Sequence, residues 1–403
     1  MRGYWEQPYA SEFEARVVRA WSEGGKHYAV LDHTLFYPTS GGQACDTGSL
    51  GGVAVLEVLE DAKASGNVIH RLESPLSEGQ SVVGKLDWNR RYRHMQRHTA
   101  EHMLGQAFLR AAGWQVVAVN MTGSVCTMDF DGEPSEAVVR QAEALANRAV
   151  YANTAVRAYF IDEAEAPAHG LRRVPKVAGS IRVVEVEGWD KVACGGLHVA
   201  RTGEAGPIKI TRFERYKGGT RIYFVAGWEA LELFGQEHQL LTRLGERFSS
   251  SPLELEKPIE NLRAEWRRVR AENAALKDEL AERIMRELLA EFPSLTIAAQ
   301  VPHTVLEMVG KRLAEWPGVL ALLVAQAEDK ARYALLKHPT RPEDLQAIWE
   351  QTLKPLGARG GGLWSSWGCC PWPHCPKPWS PSKPSRSPEA RALLFRASGS
   401  LLA

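Results

Sequence analysis

At 403 residues the chain is long enough for two or three domains with separate cores, and a formal net charge of +1 gives it no global basic field to hold nucleic acid. No apolar run approaches the ~20 residues needed to span a bilayer, and residues 1–9 lack the apolar stretch of a secretory signal. A soluble cytoplasmic protein without membrane contact is expected, with cysteines kept reduced and free for metal.

Residues from about 13 to 87 alternate apolar and polar positions between Gly, Pro and Asp punctuation, as at 13–18, 27–31 and 81–86. This pattern predicts a small all-β unit, a β-barrel, over 1–87. Within it, Phe36-Tyr-Pro-Thr-Ser-Gly-Gly-Gln-Ala-Cys-Asp-Thr-Gly48 is too rich in Gly, Pro and Thr for a regular strand. It reads either as a connection or as a binding loop.

From Trp88 the period turns helical. Residues 97–110 predict a helix with Met103, Leu104, Ala107 and Phe108 on its apolar side, and its His98 and His102, four apart, leave one face. A second helix is expected over 136–147, with strands near 115–119, 124–130, 156–161, 181–186, 207–212 and 220–226. That mixture predicts an α+β domain over 88–230. The strand ending near 187 places Cys194 and His198 in the loop beyond it.

After Gly227 the chain becomes strongly helical, a spacer over 231–292. Leu255, Ile259, Leu262, Trp266, Val269, Asn273, Leu276 and Leu280 recur at spacings of four and three, a coiled-coil seam. The seam over 255–280 offers a homodimer contact or one side of an intrachain hairpin. Residues 293–362 predict a small α/β unit, with buried strands at 319–324 and 331–336, a helix over 344–353 and a glycine loop at 357–362. Composition then switches at residue 363 to clustered Trp, Cys and Pro without periodicity, so 363–403 is expected to be disordered. An out-of-frame reading of a GC-rich gene would produce such a switch. A second metal site from Cys369, Cys370, His374 and Cys375 has the ligand types but crowded spacing.

Two donor pairs carry the most chemistry: His98-Thr-Ala-Glu-His102 and Cys194-Gly-Gly-Leu-His198. Each suits four-coordinate zinc, because His and Cys are its preferred ligands and two pairs complete a tetrahedron. His-x3-His alone arises readily on a helix surface, whereas the added Cys-Gly-Gly-x-His shifts the balance to a site. Glycines beside Cys194 permit a tight turn and leave room for an approaching group.

With these residues the chain resembles the alanyl-tRNA editing proteins of the AlaX type, in their long form, which are free-standing relatives of the editing half of alanyl-tRNA synthetase. Three motifs carry the resemblance in the family's order: Tyr37-Pro-Thr-Ser-Gly-Gly-Gln-x-x-Asp-Thr-Gly48, His98-Thr-Ala-Glu-His102-Met-Leu and Ala193-Cys-Gly-Gly-Leu-His198-Val-x-x-Thr-Gly-Glu204. Residues 293–362 are similar to the DHHA1 domain that ends long AlaX proteins, here truncated. Neither a class II aminoacylation core nor a DHH phosphodiesterase domain is visible in the sequence.

The resemblance implies one Zn2+ per chain, held by His98, His102, Cys194 and His198. It further implies hydrolysis of the ester joining serine or glycine to tRNA(Ala), with the mischarged tRNA as partner. Gln43 and Thr39, with Ser40, are the candidates for handling the aminoacyl-adenosine end. Glu101 lies about 100° around the helix from His102 and is expected to point away. The family usually has Thr where this chain has Leu197, so any contact made by that hydroxyl is lost. Arg90, Arg91, Arg93, Arg97, Lys217 and Arg221 are the candidates for tRNA phosphates. Two other functions remain open: a tRNA-binding zinc protein without activity, and a deacylase for another aminoacyl-tRNA.

Overall fold

The structure, a computed structural model, describes residues 2–61, 67–123, 125–173, 179–327, 330–356, 359–360 and 365–371. It is mixed α+β, and its chain clusters into two compact units, Met1–Leu244 and Gly245–Ala403.

The first unit opens with β1 (Glu12–Glu23), β2 (Lys26–Leu31), β3 (Gly48–Leu50), β4 (Val53–Glu60), β5 (Val68–Leu72) and β6 (Ser81–Leu86). They form a closed barrel in the order β1-β2-β5-β4-β3-β6, with β1 pairing β6 from Glu12↔Lys85 to Arg16↔Ser81. The alternation read in the sequence is the alternation of barrel interior and solvent, as in β5, where Val68, His70 and Leu72 are buried. Gly48 is required where β3 crosses β6: it has φ +155°, and a Cβ there would stand 2.0 Å from the Lys85 carbonyl oxygen.

Helix α1 (Trp88–Ala112) begins at Asp87, whose side chain accepts from Arg90 N at 3.1 Å, and ends at Gly113 in the left-handed region. It starts at Trp88, where the period turns helical, although its early turns carry Arg91, His94 and Arg97 where apolar residues would announce a core face. Yet it is buried on every side: Met95, Ala100, Met103, Leu104, Ala107 and Phe108 are fully enclosed, alongside Arg91, His94, Gln96, His98, Thr99, Glu101 and His102. So many buried polar groups on one helix must find partners, and those partners define the site.

There follow β7 (Val116–Asn120), β8 (Cys126–Phe130), α2 (Glu136–Tyr151), β9 (Val156–Asp162), β10 (Ser180–Val186), β11 (Asp190–Ala193), β12 (Ile208–Tyr216), β13 (Gly219–Ala226) and α3 (Trp228–Phe248). The strands form a four-stranded sheet, β12-β13-β8-β7, and a three-stranded one, β11-β10-β9. A single apolar core runs from the barrel through α1 and α2 into the four-stranded sheet. One expectation needs correction: Cys194 does not follow the strand near 187 directly. A further strand, β11, turns back along β10 and delivers it.

The second unit contains α4 (Glu256–Glu291), β14 (Thr296–Gln300), α5 (Leu306–Ala314), β15 (Leu320–Ala327), β16 (Lys330–Lys337), α6 (Leu345–Thr352), β17 (Arg359–Gly360) and β18 (Ser365–Pro371). Its sheet runs β14-β15-β16-β18-β17 and is covered on both faces. Ala321, Leu323 and Ala325 face α5 and the end of α4, while Leu322 packs toward α6 with Tyr333 and Leu335. The expectation of disorder from residue 363 fails at 365–371, which pairs with β16 as an antiparallel strand. Cys369 and Cys370 are thereby placed in a strand, whereas His374 and Cys375 lie outside the described residues. Along α4 the seam residues Ile259, Leu262, Trp266, Val269, Leu276 and Leu280 are exposed, and Leu255 is buried. Among the described residues no helix is long and apolar enough to cross a membrane.

Candidate metal centre

Helix α1 supplies His98 and His102 on successive turns, and the segment after β11 supplies Cys194 and His198. Cys194 Sγ lies 3.3 Å from His98 Nε2 and 3.4 Å from His198 Nε2, and one ligand atom from each of the four lies within 4.8 Å of all the others. The His198 ring centroid is 4.4 Å from that of His98 and 4.5 Å from that of His102.

A polar group stands behind each imidazole. His98 Nδ1 donates to Gln43 Oε1 at 2.8 Å, which fixes the tautomer with the Nε2 lone pair toward Cys194. His198 Nδ1 is 3.2 Å from Thr99 Oγ1, a hydroxyl that also accepts Val199 N–H at 3.2 Å. His102 Nδ1 faces Asp190 Oδ2 at 3.8 Å, and Arg172 Nε stands 3.4 Å from the other oxygen of that carboxylate. Burial pushes His98 down to about 3 and holds His102 and His198 well below the usual range, so all three rings are neutral. It also pushes the Cys194 thiol up to about 12. Three neutral imidazoles and a thiol, enclosed with lone pairs converging, fit a zinc ion in both donor type and number.

The Cys194 loop is held rigidly. Arg182 donates from one terminal nitrogen to the carbonyls of Cys194 and Gly196, both at 2.8 Å, and Trp5 Nε1 donates to the Gly195 carbonyl at 2.8 Å. The two glycines differ in use. A Cβ on Gly196 would stand 2.0 Å from His98 Cε1, whereas one on Gly195 would meet nothing within 4 Å. Gly196 lets the loop close on the ring, and Gly195 faces open space. At the end of the same motif Glu204 accepts from Tyr9 at 2.7 Å and from Tyr92 at 3.2 Å, which ties the N-terminal segment to α1.

The family described as "Threonyl and Alanyl tRNA synthetase second additional domain" matches residues 181–223, which contain the Cys194 pair. That described as "tRNA synthetases class II (A)" matches 9–90, the segment that folds as the barrel. The alanine–tRNA ligase of Pyrococcus abyssi is 37% identical over 302 residues, covering 72% of this chain and 32% of the relative. The ligase of Archaeoglobus fulgidus is 35% identical over 349 residues, 81% of this chain and 37% of the relative. The chain is similar to alanine–tRNA ligases. It spans about a third of the length of the curated relatives it matches.

The residues singled out in the sequence separate into groups. Gln43 lies behind the donor set, its Oε1 accepting from His98 and from Leu197 N at 3.1 Å, while its buried Nε2 has no hydrogen-bond partner among the described residues. Thr39 Oγ1 accepts Cys45 N–H at 3.2 Å and shapes the loop. Glu101 overturns its expectation: its Oε2 stands 3.6 Å from His102 Nε2, and burial pushes it up to about 7. Leu197 is fully buried and contributes only its backbone N–H.

Two of the six basic candidates are corrected. Arg91 has no exposed surface: it grips Asp46 and the carbonyls of Pro8 and Leu35, pinning the glycine loop to α1. Arg97 is enclosed, bound to Glu229 and to the carbonyls of Met121 and Gly123. Neither is free for phosphate. Arg90 Nε donates to the Cys45 carbonyl at 2.9 Å, and Arg93 pairs with Glu232. Arg221 pairs with Asp129 at 2.6 Å beneath Tyr216, and Lys217 is exposed at the β12–β13 turn. Sequence reasoning missed Asp190, Thr99 and Arg182. For Thr99 a signal existed, since it follows His98 on a helix that must satisfy its polar groups. Asp190 and Arg182 read as ordinary turn and strand polarity.

Proposed function

We propose that this chain is a zinc-dependent aminoacyl-tRNA deacylase that hydrolyses the ester of seryl- or glycyl-tRNA(Ala). The observation that carries this reading is the convergence of His98, His102, Cys194 and His198, with Gln43 and Thr99 orienting two of the rings. Zinc held by these four residues would polarise the ester carbonyl and lower the pKa of water to about 7. The remaining steps belong to the chain's own groups. The open side at Gly195 admits the aminoacyl end, Gln43 holds the His98 ring from behind, and the enclosing core excludes bulk water. Glu101 Oε2, the carboxylate beside His102, takes the proton from the attacking water and hands it to the departing ribose oxygen as the acyl C–O bond breaks. The exposed Lys217 and the guanidiniums of Arg90 and Arg93 meet tRNA phosphates, which position the substrate without reading its sequence. The exposed seam on α4 is read as pairing with a second copy of the chain.

A second reading has one observation in its favour: four protein donors ordinarily close a structural zinc site. On that reading the chain binds tRNA without cleaving it. Turnover of Ser-tRNA(Ala), Gly-tRNA(Ala) and Ala-tRNA(Ala) by purified, zinc-analysed protein separates the two. The deacylase reading expects selective loss of the seryl or glycyl ester, and stoichiometric zinc without cleavage of any ester overturns it.

A further inference from the structure

The short turn Gly3–Trp5 and strand β9 bring two aromatic rings to the rim of the donor set. Phe160 on β9 pairs with Arg182 on β10, and the Arg182 carbonyl accepts Cys194 N–H at 3.0 Å, so the three residues form one row across the sheet with their side chains on one face. The row begins at a metal donor and ends at a ring. Phe160 is 54% exposed, whereas its chain neighbours Tyr159 and Ile161 turn to the other face and join the apolar cluster of Ala166, Ile181 and Val183. Its one ring contact among the described residues is Trp5, which meets it edge-on with centroids 5.7 Å apart and planes at 68°. A large apolar ring left open beside a reaction site is a surface for something that enters the site.

Trp5 is fixed from several sides. Its Nε1 donates to the Gly195 carbonyl at 2.8 Å, the Tyr4 ring stands edge-on at 5.4 Å, and the guanidinium carbons of Arg2 and Arg182 lie 4.9 and 5.6 Å from its centroid. The indole thus ties the ring at the end of the row to the same loop whose open glycine borders the donors. Arg2 is paired with Glu60 at 3.3 Å, and Arg182 Nη1 is spent on the carbonyls of Cys194 and Gly196, which leaves the ring face as the distinguishing feature of this rim. A rigid aromatic face suits a nucleobase, because every base has a π-face and stacking asks no hydrogen bond of the platform. The spacing agrees. Adjacent strands lie about 4.8 Å apart, so Phe160 stands about 10 Å of sheet from Cys194, a reach that one ribose covers between a 3′-acyl group and its base.

We propose that Phe160, braced by Trp5, is the platform on which the terminal adenine of the aminoacyl-tRNA stacks while its ester reaches the donor set. The proposal rests on the deacylase reading for its substrate, and its test reads binding without turnover. The probe is 3′-(L-serylamino)-3′-deoxyadenosine, whose amide resists hydrolysis, titrated into the zinc-loaded full chain by calorimetry beside the same compound with hydrogen in place of the base. The adenine is expected to tighten binding by about tenfold or more. Phe160→Ala is expected to remove most of that ratio while leaving zinc content and affinity for the baseless compound unchanged, and Phe160→Trp is expected to retain it. The exposed position lets both variants fold. A Phe160 that only supported the sheet would shift both compounds alike. With 2-aminopurine as the base, fluorescence should be quenched on binding to the parent and to Phe160→Trp, and not on binding to Phe160→Ala. Equal affinities with and without the base, including no measurable binding of either compound, or a ratio untouched by Phe160→Ala, overturn the platform. A Phe160-dependent ratio in a chain that cleaves no ester upholds the platform and sinks the deacylase, and cleavage without that dependence does the reverse.

Discussion

His98 Nδ1 donates to Gln43 Oε1 across 2.8 Å, linking a helix to a glycine loop 55 positions earlier in the chain. The same oxygen accepts Leu197 N–H at 3.1 Å, so one amide sets both the tautomer of a metal donor and the position of the loop that carries two others. Loss of such a supporting group typically costs 10–100-fold in metal affinity. Gln43→Ala is therefore expected to weaken zinc binding by about one to two orders of magnitude, read by chelator competition at constant pH. An unchanged affinity would show that the ring is fixed by packing alone.

The neighbouring glycines should respond oppositely. Gly196→Ala drives a methyl group into the His98 ring and is expected to leave zinc substoichiometric. Gly195→Ala meets nothing within 4 Å and is expected to retain the metal while slowing entry of a bulky substrate. Metal analysis of both proteins, with hydrolysis of Ser-tRNA(Ala), checks the contrast. Equal zinc contents would remove close approach as the reason for Gly196.

Arg91 and Lys217 should divide stability from tRNA contact. Breaking the fully buried Arg91–Asp46 pair leaves an uncompensated carboxylate, so Arg91→Met is expected to cost about 3–5 kcal/mol in urea unfolding. Lys217 is exposed, and Lys217→Ala is expected to leave stability within about 0.5 kcal/mol and to reduce the salt dependence of tRNA binding. A stable Arg91→Met protein with impaired tRNA binding would reverse the assignment.

Inside the barrel, His70 is fully buried, with Nε2 2.9 Å from Thr34 Oγ1 and Nδ1 3.1 Å from the Ala29 carbonyl. Burial pushes it down to about 4 from 6.5. Its unfolded form therefore binds the proton first on acidification. The contribution of His70 is complete above pH 6.5, falls as pH drops toward 4, and amounts to about 3 kcal/mol across that window. His70→Gln lacks this titration, so urea unfolding at pH 7.5 and 4.5 should show the variant gaining on the parent at low pH. Parallel pH profiles would mean that the ring ionises without penalty.

The barrel was legible in the sequence because interior and solvent alternate with period two, and the four donors because two short spacings name them. Helix α1 was legible from Trp88 by its change of period, but the burial of its first turns was not. Its first turns bury Arg91, His94 and Gln96, and a helix enclosed on all sides by polar contacts has no apolar stripe to read. The basic residues misled for the same reason: Arg91 and Arg97 look like surface charge until their partners Asp46 and Glu229, 45 and 132 positions away, are brought beside them. In the second unit β18 was hidden by its composition, since Trp, Gly and paired Cys carry no alternation, and only pairing with β16 makes it a strand.

On the deacylase reading the four donors hold one zinc, and ester hydrolysis requires it. Titrating metal-depleted protein with zinc while following Ser-tRNA(Ala) hydrolysis tests it directly. Activity should rise linearly and stop at one equivalent per chain, and Cys194→Ala should show neither tight binding nor cleavage. Full hydrolysis by the metal-depleted protein, or a Cys194→Ala variant that binds zinc and cleaves like the parent, would contradict a zinc-dependent reaction at these donors.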